Sequence, residues 1–191
     1  MKNKKVLIIA GVLLIAAAIL VYLQPWQGQV DAETKAWQLT LVGSDGSQKV
    51  LSYKDITELP DYEGNGGFFS TVGIVYGPYE AKGVTLADLC ELVGGIEPTD
   101  TLMISAQDGY STVFDYDQVM GEFITYNTDL QEVPHDELKT ILMYEEDGKP
   151  LSDEDGKPLR IAIVGTKEGL LVEGSYWVKW VNKIEVLKAA S

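Results

Sequence analysis

The chain has one cysteine, Cys90, and one histidine, His135, in 191 residues. A lone cysteine cannot close an internal disulfide, and a zinc site built on several thiolates is excluded with it. A lone histidine removes His-rich metal clusters and leaves any catalytic triad dependent on a single residue. No Gly-x-Ser-x-Gly elbow and no Gly-rich phosphate loop of the Walker or dinucleotide kind occurs, so the common serine-hydrolase and nucleotide-binding signatures are missing. Basic residues are also few. The 15 lysines and arginines face 29 acids for a net charge of −14, and Lys2, Lys4 and Lys5 sit in an acid-free tail. The rest carries 12 basic against 29 acidic groups, a net −17, and such a surface repels phosphate backbones, so no nucleic-acid partner is expected.

One long hydrophobic run is present. It extends from Val6 to Leu23 behind the lysines and is followed by Gln24, Pro25 and Trp26. At about 1.5 Å of helical rise per residue it covers most of a hydrocarbon core about 30 Å thick. Residues 1–24 therefore read as a single-pass transmembrane helix in the cell membrane, with the lysines inside and the bulk of the chain extracytoplasmic. The rival is a cleaved signal peptide, since Val30-Asp31-Ala32 suits a signal peptidase. Residues 25–34 read as a linker and 35–191 as one domain.

Within that domain Trp37–Val42 alternates as a strand and Gly43–Gly46 turns it. Ser52 and Asp55 are spaced as a capping box, predicting a short helix over Tyr53–Leu59 that stops at Pro60. A Gly-rich stretch, Gly64–Gly67, leads to a predicted strand from Phe68 to Tyr76. Thr85 and Asp88 cap a second helix, in which Leu86, Leu89, Cys90 and Val93 share one face. That places Cys90 in the core, where free cysteine is commonly found. A hairpin is predicted at Leu102–Ala106 and Tyr110–Phe114 around Asp108-Gly109. Further strands are predicted at Phe123–Tyr126, Thr140–Tyr144, Leu159–Val164 and Val178–Leu187. Asp-Gly-Lys-Pro occurs at Asp147–Pro150 and Asp155–Pro158, and the surrounding acids lack the alternating EF-hand spacing, so they read as a solvated, turn-rich loop. Many strands with few short helices make a β-rich mixed α+β domain.

Four blocks carry further information: Gly83–Leu89, Asp108–Tyr110, Gly156–Gly165 and Trp177–Val186. In that order and spacing the chain resembles the molybdopterin-binding domain of the sulfite oxidase family of molybdenum oxidoreductases, from about Trp37 to Leu187. The resemblance implies a mixed α+β fold that grips a pyranopterin, with one cysteine thiolate on molybdenum. That cysteine is expected shortly upstream of the Gly-Val-x-Leu block, where this chain reads Phe68-Phe69-Ser70-Thr71-Val72-Gly73-Ile74. Only the hydroxyls of Ser70 and Thr71 stand there, and they are poor soft-metal ligands. Family members often carry an arginine before the Val-Lys-Trp segment and a histidine before Gly-x-Pro-x-Arg, and here those places read Tyr176-Trp177 and Asp155. Arg160 and Lys179 match the family.

The candidate cofactor-binding residues are thus Ser70, Thr71, Arg160 and Lys179, with no metal ligand and no cofactor expected. Arg160 could instead neutralise the acidic loop, Lys179 could face solvent, and Trp177 and Trp180 suit core and sheet rim better than a stacking platform. The first reading is a membrane-tethered domain that has lost molybdenum ligation and serves as a binding or interaction module for a small molecule or a protein. The alternative is an active molybdopterin-dependent oxidoreductase with Arg160 and Lys179 at the cofactor's phosphate.

Overall fold

The computed structural model describes residues 31–189. The apolar run read as an anchor lies outside them, and no helix among the described residues is long and apolar enough to cross a membrane. Helix α1 (Ala32–Ala36) comes first and takes up the last residues of the stretch read as linker. Its N-terminal amide, Thr34 N–H, donates to the Asp31 carboxylate at 2.8 Å, which satisfies one of the donors that a helix start leaves open. Strands β1 (Gln38–Val42) and β2 (Gln48–Ser52) follow as a hairpin. The predicted capping box of Ser52 and Asp55 opens α2 (Tyr53–Thr57).

The next pair departs from the expectation. Gly64–Gly67 is not a loop before a strand but lies inside β3 (Tyr62–Phe69), and the apolar run after it breaks into a turn before β4 (Val75–Thr85). Close packing explains the glycines, since a Cβ on Gly66 would stand 2.3 Å from the Ile163 carbonyl oxygen and one on Gly64 2.9 Å from that of Gly165. Gly73 makes the turn, with a φ of +79° and an N–H that donates to the Ser70 carbonyl at 2.8 Å.

Helix α3 (Leu86–Glu91) then buries the predicted face of Leu86, Leu89 and Cys90. Strands β5 (Thr101–Ala106) and β6 (Ser111–Asp115) form the expected hairpin. A helix that the hydrophobic pattern does not announce, α4 (Tyr116–Met120), starts at a second capping box between Asp115 and Gln118. The remaining strands are β7 (Thr125–Tyr126), β8 (Glu132–Val133), β9 (Leu138–Glu146), β10 (Lys149–Pro150), β11 (Arg160–Gly165), β12 (Val172–Glu173) and β13 (Val181–Leu187). The first Asp-Gly-Lys-Pro copy is the β9–β10 turn, and the second belongs to the loop before β11.

Two main sheets result. The first has the order β2-β1-β13-β5-β6, with β1 and β13 parallel and every other pair antiparallel. In the second, β9 pairs with β11 and β4, and β3 pairs with both β4 and β11, so four strands close into a ring. Every residue of β11 is buried, which accounts for its unbroken apolar stretch Ile161-Ala162-Ile163-Val164. One hydrophobic cluster joins the sheets, from Leu39 and Ile184 of the first to Leu142 and Ile161 of the second. The β-rich α+β class read from the sequence describes this fold.

Candidate functional site

The site is made where two of the sequence blocks meet. The loop after β10 leads through Gly156 into β11, and the segment Trp177–Trp180 leads into β13. They run side by side. Trp180 N–H donates to the Gly156 carbonyl at 3.4 Å, Val181 N–H to that of Leu159 at 3.0 Å, and Ile161 N–H to that of Val178 at 2.8 Å. The last strand begins at Val181 and not at Val178, because Trp180 takes a φ of +55° that interrupts extended backbone. This packing sets Trp177 beside Arg160 and Lys179 against the loop, so close that a Cβ on Gly156 would stand 2.7 Å from the Lys179 Cβ.

The end of β3 and the start of β4 supply further lining residues. Phe68, Ser70, Tyr76 and Tyr79 line, with Arg160, Trp177 and Lys179, a cavity of about 490 Å³ that Glu154, Asp155 and Gly174 complete. Phe68 and Tyr76 stack with ring centres 4.8 Å apart. A second cavity of about 390 Å³, walled in part by Asp117, Glu122 and Tyr176, contains none of the four candidate cofactor-binding residues.

Arg160 dominates the electrostatics. It is 2% exposed, and its guanidinium carbon lies 4.9 Å from the ring centres of both Phe68 and Trp177. Stacking on two aromatic faces offsets part of the cost of burying the charge. Its Nε is buried with no hydrogen-bond partner, and among the described residues no carboxylate forms an ion pair with it. Burial lowers the Arg160 pKa, opposed by Glu146, Tyr79 and Asp155. The Glu146 carboxyl is pushed up to about 6, first by burial and then by Asp155, against the pull of Arg160. Glu146 Oε2 is likewise buried and unpartnered. Lys179 is held below the usual lysine range by burial and by Arg160.

Of the candidate residues, Ser70, Arg160 and Lys179 surround this one cavity and Thr71 does not. Thr71 is exposed on the β3–β4 turn. Ser70 Oγ accepts the Ile74 N–H at 3.1 Å. Lys179 is half-buried, and its Nζ donates to the Glu154 carbonyl. Trp177 is core, 4% exposed, and also gives Arg160 one of its two rings. Cys90 is 1% exposed on the α3 face, with burial driving its thiol up to about 12. His135 stands between β8 and β9, outside both cavities. Sequence reasoning missed the aromatic wall and took Glu154 as solvated only, while Asp155 entered it through the family's histidine position as well as through the acidic loop. The available signal was Tyr76 and Tyr79 flanking Pro78 a few residues after Phe68.

The comparisons with known proteins bear on this geometry. Residues 70–191 match the family described as the oxidoreductase molybdopterin binding domain. The chain belongs to that family. The match begins at Ser70 and takes in the β4, β11 and Trp177–Lys179 walls of the cavity. An uncharacterized oxidoreductase of Bacillus subtilis (strain 168), YuiH, is 24% identical over 154 residues, covering 80% of this chain and 66% of that protein. The chain thus spans just under two thirds of that relative's length. Among solved structures, the sulfane dehydrogenase SoxCD from Paracoccus pantotrophus superposes with a TM-score of 0.60 at 18% identity, over 84% of this chain and 40% of that one. At that identity the likeness concerns the fold, and it supports the sulfite-oxidase-like assignment.

The family implies a molybdopterin cofactor in related proteins, and the residues here suit one part of it. Arg160 and Lys179 offer donors to a phosphate, and the aromatic wall suits a flat ring system. The metal end is different. The only side-chain group of the Phe68–Ile74 stretch with a ligating heteroatom at the cavity is the Ser70 hydroxyl, already engaged by Ile74, while the one thiol lies in the core. The donor set does not fit a thiolate-held molybdenum.

Proposed function

We propose that this member of the family is an extracytoplasmic, membrane-anchored binding module that takes a small anion-bearing ligand in the Arg160 cavity without a protein–molybdenum bond. The observation that carries the reading is the buried Arg160, which lines the cavity beside the adjoining rings of Phe68 and Trp177 and has no hydrogen-bond partner for its Nε. A buried cation without a bonded counter-charge is costly, and an anion entering the cavity supplies the missing partner. The anchor rests on the Val6–Leu23 run and the lysines before it.

Two measurements test this. Elemental analysis of the full chain from a cofactor-competent host is expected to give far less than one molybdenum per chain, and near-stoichiometric molybdenum or tungsten overturns the reading. Alkaline extraction should leave the protein in the membrane, with the domain open to protease added from outside. The competing reading, an active oxidoreductase, is favoured by one observation, the joint presence of Arg160 and Lys179 at the cavity. Stoichiometric metal would establish it, and Ser70 would then be the first residue to replace.

A further inference from the structure

The charges around the Arg160 cavity are of both signs, and they are held apart. Arg160 and Lys179 line it together with Glu154 and Asp155. Among the described residues no two of these four side chains form an ion pair with each other. Lys179 gives its Nζ to the Glu154 backbone carbonyl, and the Asp155 carboxylate accepts the Ser152 hydroxyl. Arg160 Nε has no partner at all.

On the reading that this cavity is the ligand site, the geometry points to a zwitterion with a flat apolar body, of the size and type of an aromatic amino acid, with its carboxylate on Arg160 and Lys179 and its ammonium on Glu154 and Asp155. A simple anion of the same shape would be drawn by the two cations but would meet two carboxylates in the same space, and a simple cation would meet Arg160. Charge complementarity of this kind selects against each one-charge relative as well as for the ligand that carries both. The aromatic walls receive the apolar body. The volume, about 490 Å³, falls in the lower half of the usual small-molecule range of about 300–1,000 Å³, which suits one residue-sized molecule and not a polymer.

The test uses the full chain in mild detergent and three matched sets of probes titrated by calorimetry. Phenylalanine is compared with 3-phenylpropionate and 2-phenylethylamine, and tyrosine and tryptophan with their own deaminated and decarboxylated counterparts. At least one amino acid should bind about ten-fold or more tightly than both of its one-charge counterparts, the range for adding a charge-assisted hydrogen bond. Lys179→Met should weaken that binding and spare the fold, and Arg160→Met should abolish it, with circular dichroism confirming that each variant is folded. The double variant Glu154→Gln with Asp155→Asn should narrow the gap between the amino acid and its carboxylate-only counterpart. If the carboxylates bind best and still depend on Lys179, the zwitterion is refuted while the anion site stands. Absence of saturable binding by all nine probes overturns both.

Discussion

Glu146 is the acid whose replacement reads out the field around Arg160. Its carboxyl rises from an ordinary 4.5 to about 6, because burial and Asp155 together outweigh the attraction of Arg160 and Lys179, and Asp147 adds to the repulsion. An acid with a raised pKa holds its proton more tightly in the folded state than in the unfolded one. The protein therefore loses stability as pH climbs from about 4.5 to about 6, and above that window the loss is complete. At about 1.36 kcal/mol per pH unit the full displacement would be worth about 2 kcal/mol. Glu146 is only half-buried, so water screening brings this to about 1 kcal/mol. Glu146→Gln removes the ionisation and keeps the shape. The variant should equal the parent near pH 4.5 and exceed it by about 1 kcal/mol at pH 7.5, or about 3 °C in Tm for a domain of this size, by paired thermal melts at the two pH values. If the glutamine variant is the less stable one at pH 7.5, the Glu146 charge is a net stabilising counter-ion of Arg160 and the reasoning fails.

Three further outcomes follow from the same structure. Gly66→Ala should destabilise the domain by about 3 kcal/mol or more, seen as a large drop in the urea midpoint, because the new Cβ would stand 2.3 Å from the Ile163 carbonyl and 3.2 Å from the Trp177 ring. Cys90 should resist iodoacetamide in the folded protein at pH 8 and react in urea, since its thiol is buried and pushed up to about 12, and Cys90→Ala should cost about 1 kcal/mol. Asp31→Ala should speed amide exchange across Ala32–Ala36, because Asp31 both caps α1 and pairs with Lys157 at 2.8 Å. The Asp31 carboxyl is held down to about 2 by Lys157 and Thr34, so that protection should persist as pH falls through 3.8 and disappear only near 2.

The parts of the fold visible in the sequence were those with a local cause. Ser52 with Asp55 and Thr85 with Asp88 close their helix starts within four residues, and the β5–β6 turn at Asp108-Gly109 is equally local. The β3 assignment failed because four residues rich in glycine normally mark a loop, and it takes the nearness of β11 to Gly64 and Gly66, and of Leu171 and the Tyr76 carbonyl to Gly67, to make glycine necessary inside that strand. The site divides in the same way. Arg160 and Lys179 stood out through the family resemblance, yet nothing in either block shows that Trp177 and Phe68 both lie against the guanidinium, because those rings arrive from residues far apart in the chain. Ser70 and Thr71 were indistinguishable as adjacent hydroxyls. The turn that begins at Ser70 separates them, keeping one at the cavity and sending the other outward.

The closed ring of β9, β11, β3 and β4 also decides where another chain could add a strand. Within the ring each long strand has a partner strand on both sides for at least part of its length, so none of the four is a free edge along its whole run. The five-stranded sheet ends instead at β2 and β6, each paired on one side only, with Val50 and Val113 more than half exposed on them. Such open borders invite edge-to-edge aggregation, and a lysine placed on one is a common defence. Lys49 occupies that position on β2, whereas β6 carries no lysine along Ser111–Asp115. Self-association by strand addition would therefore start at β6, on the sheet that does not wall the Arg160 cavity.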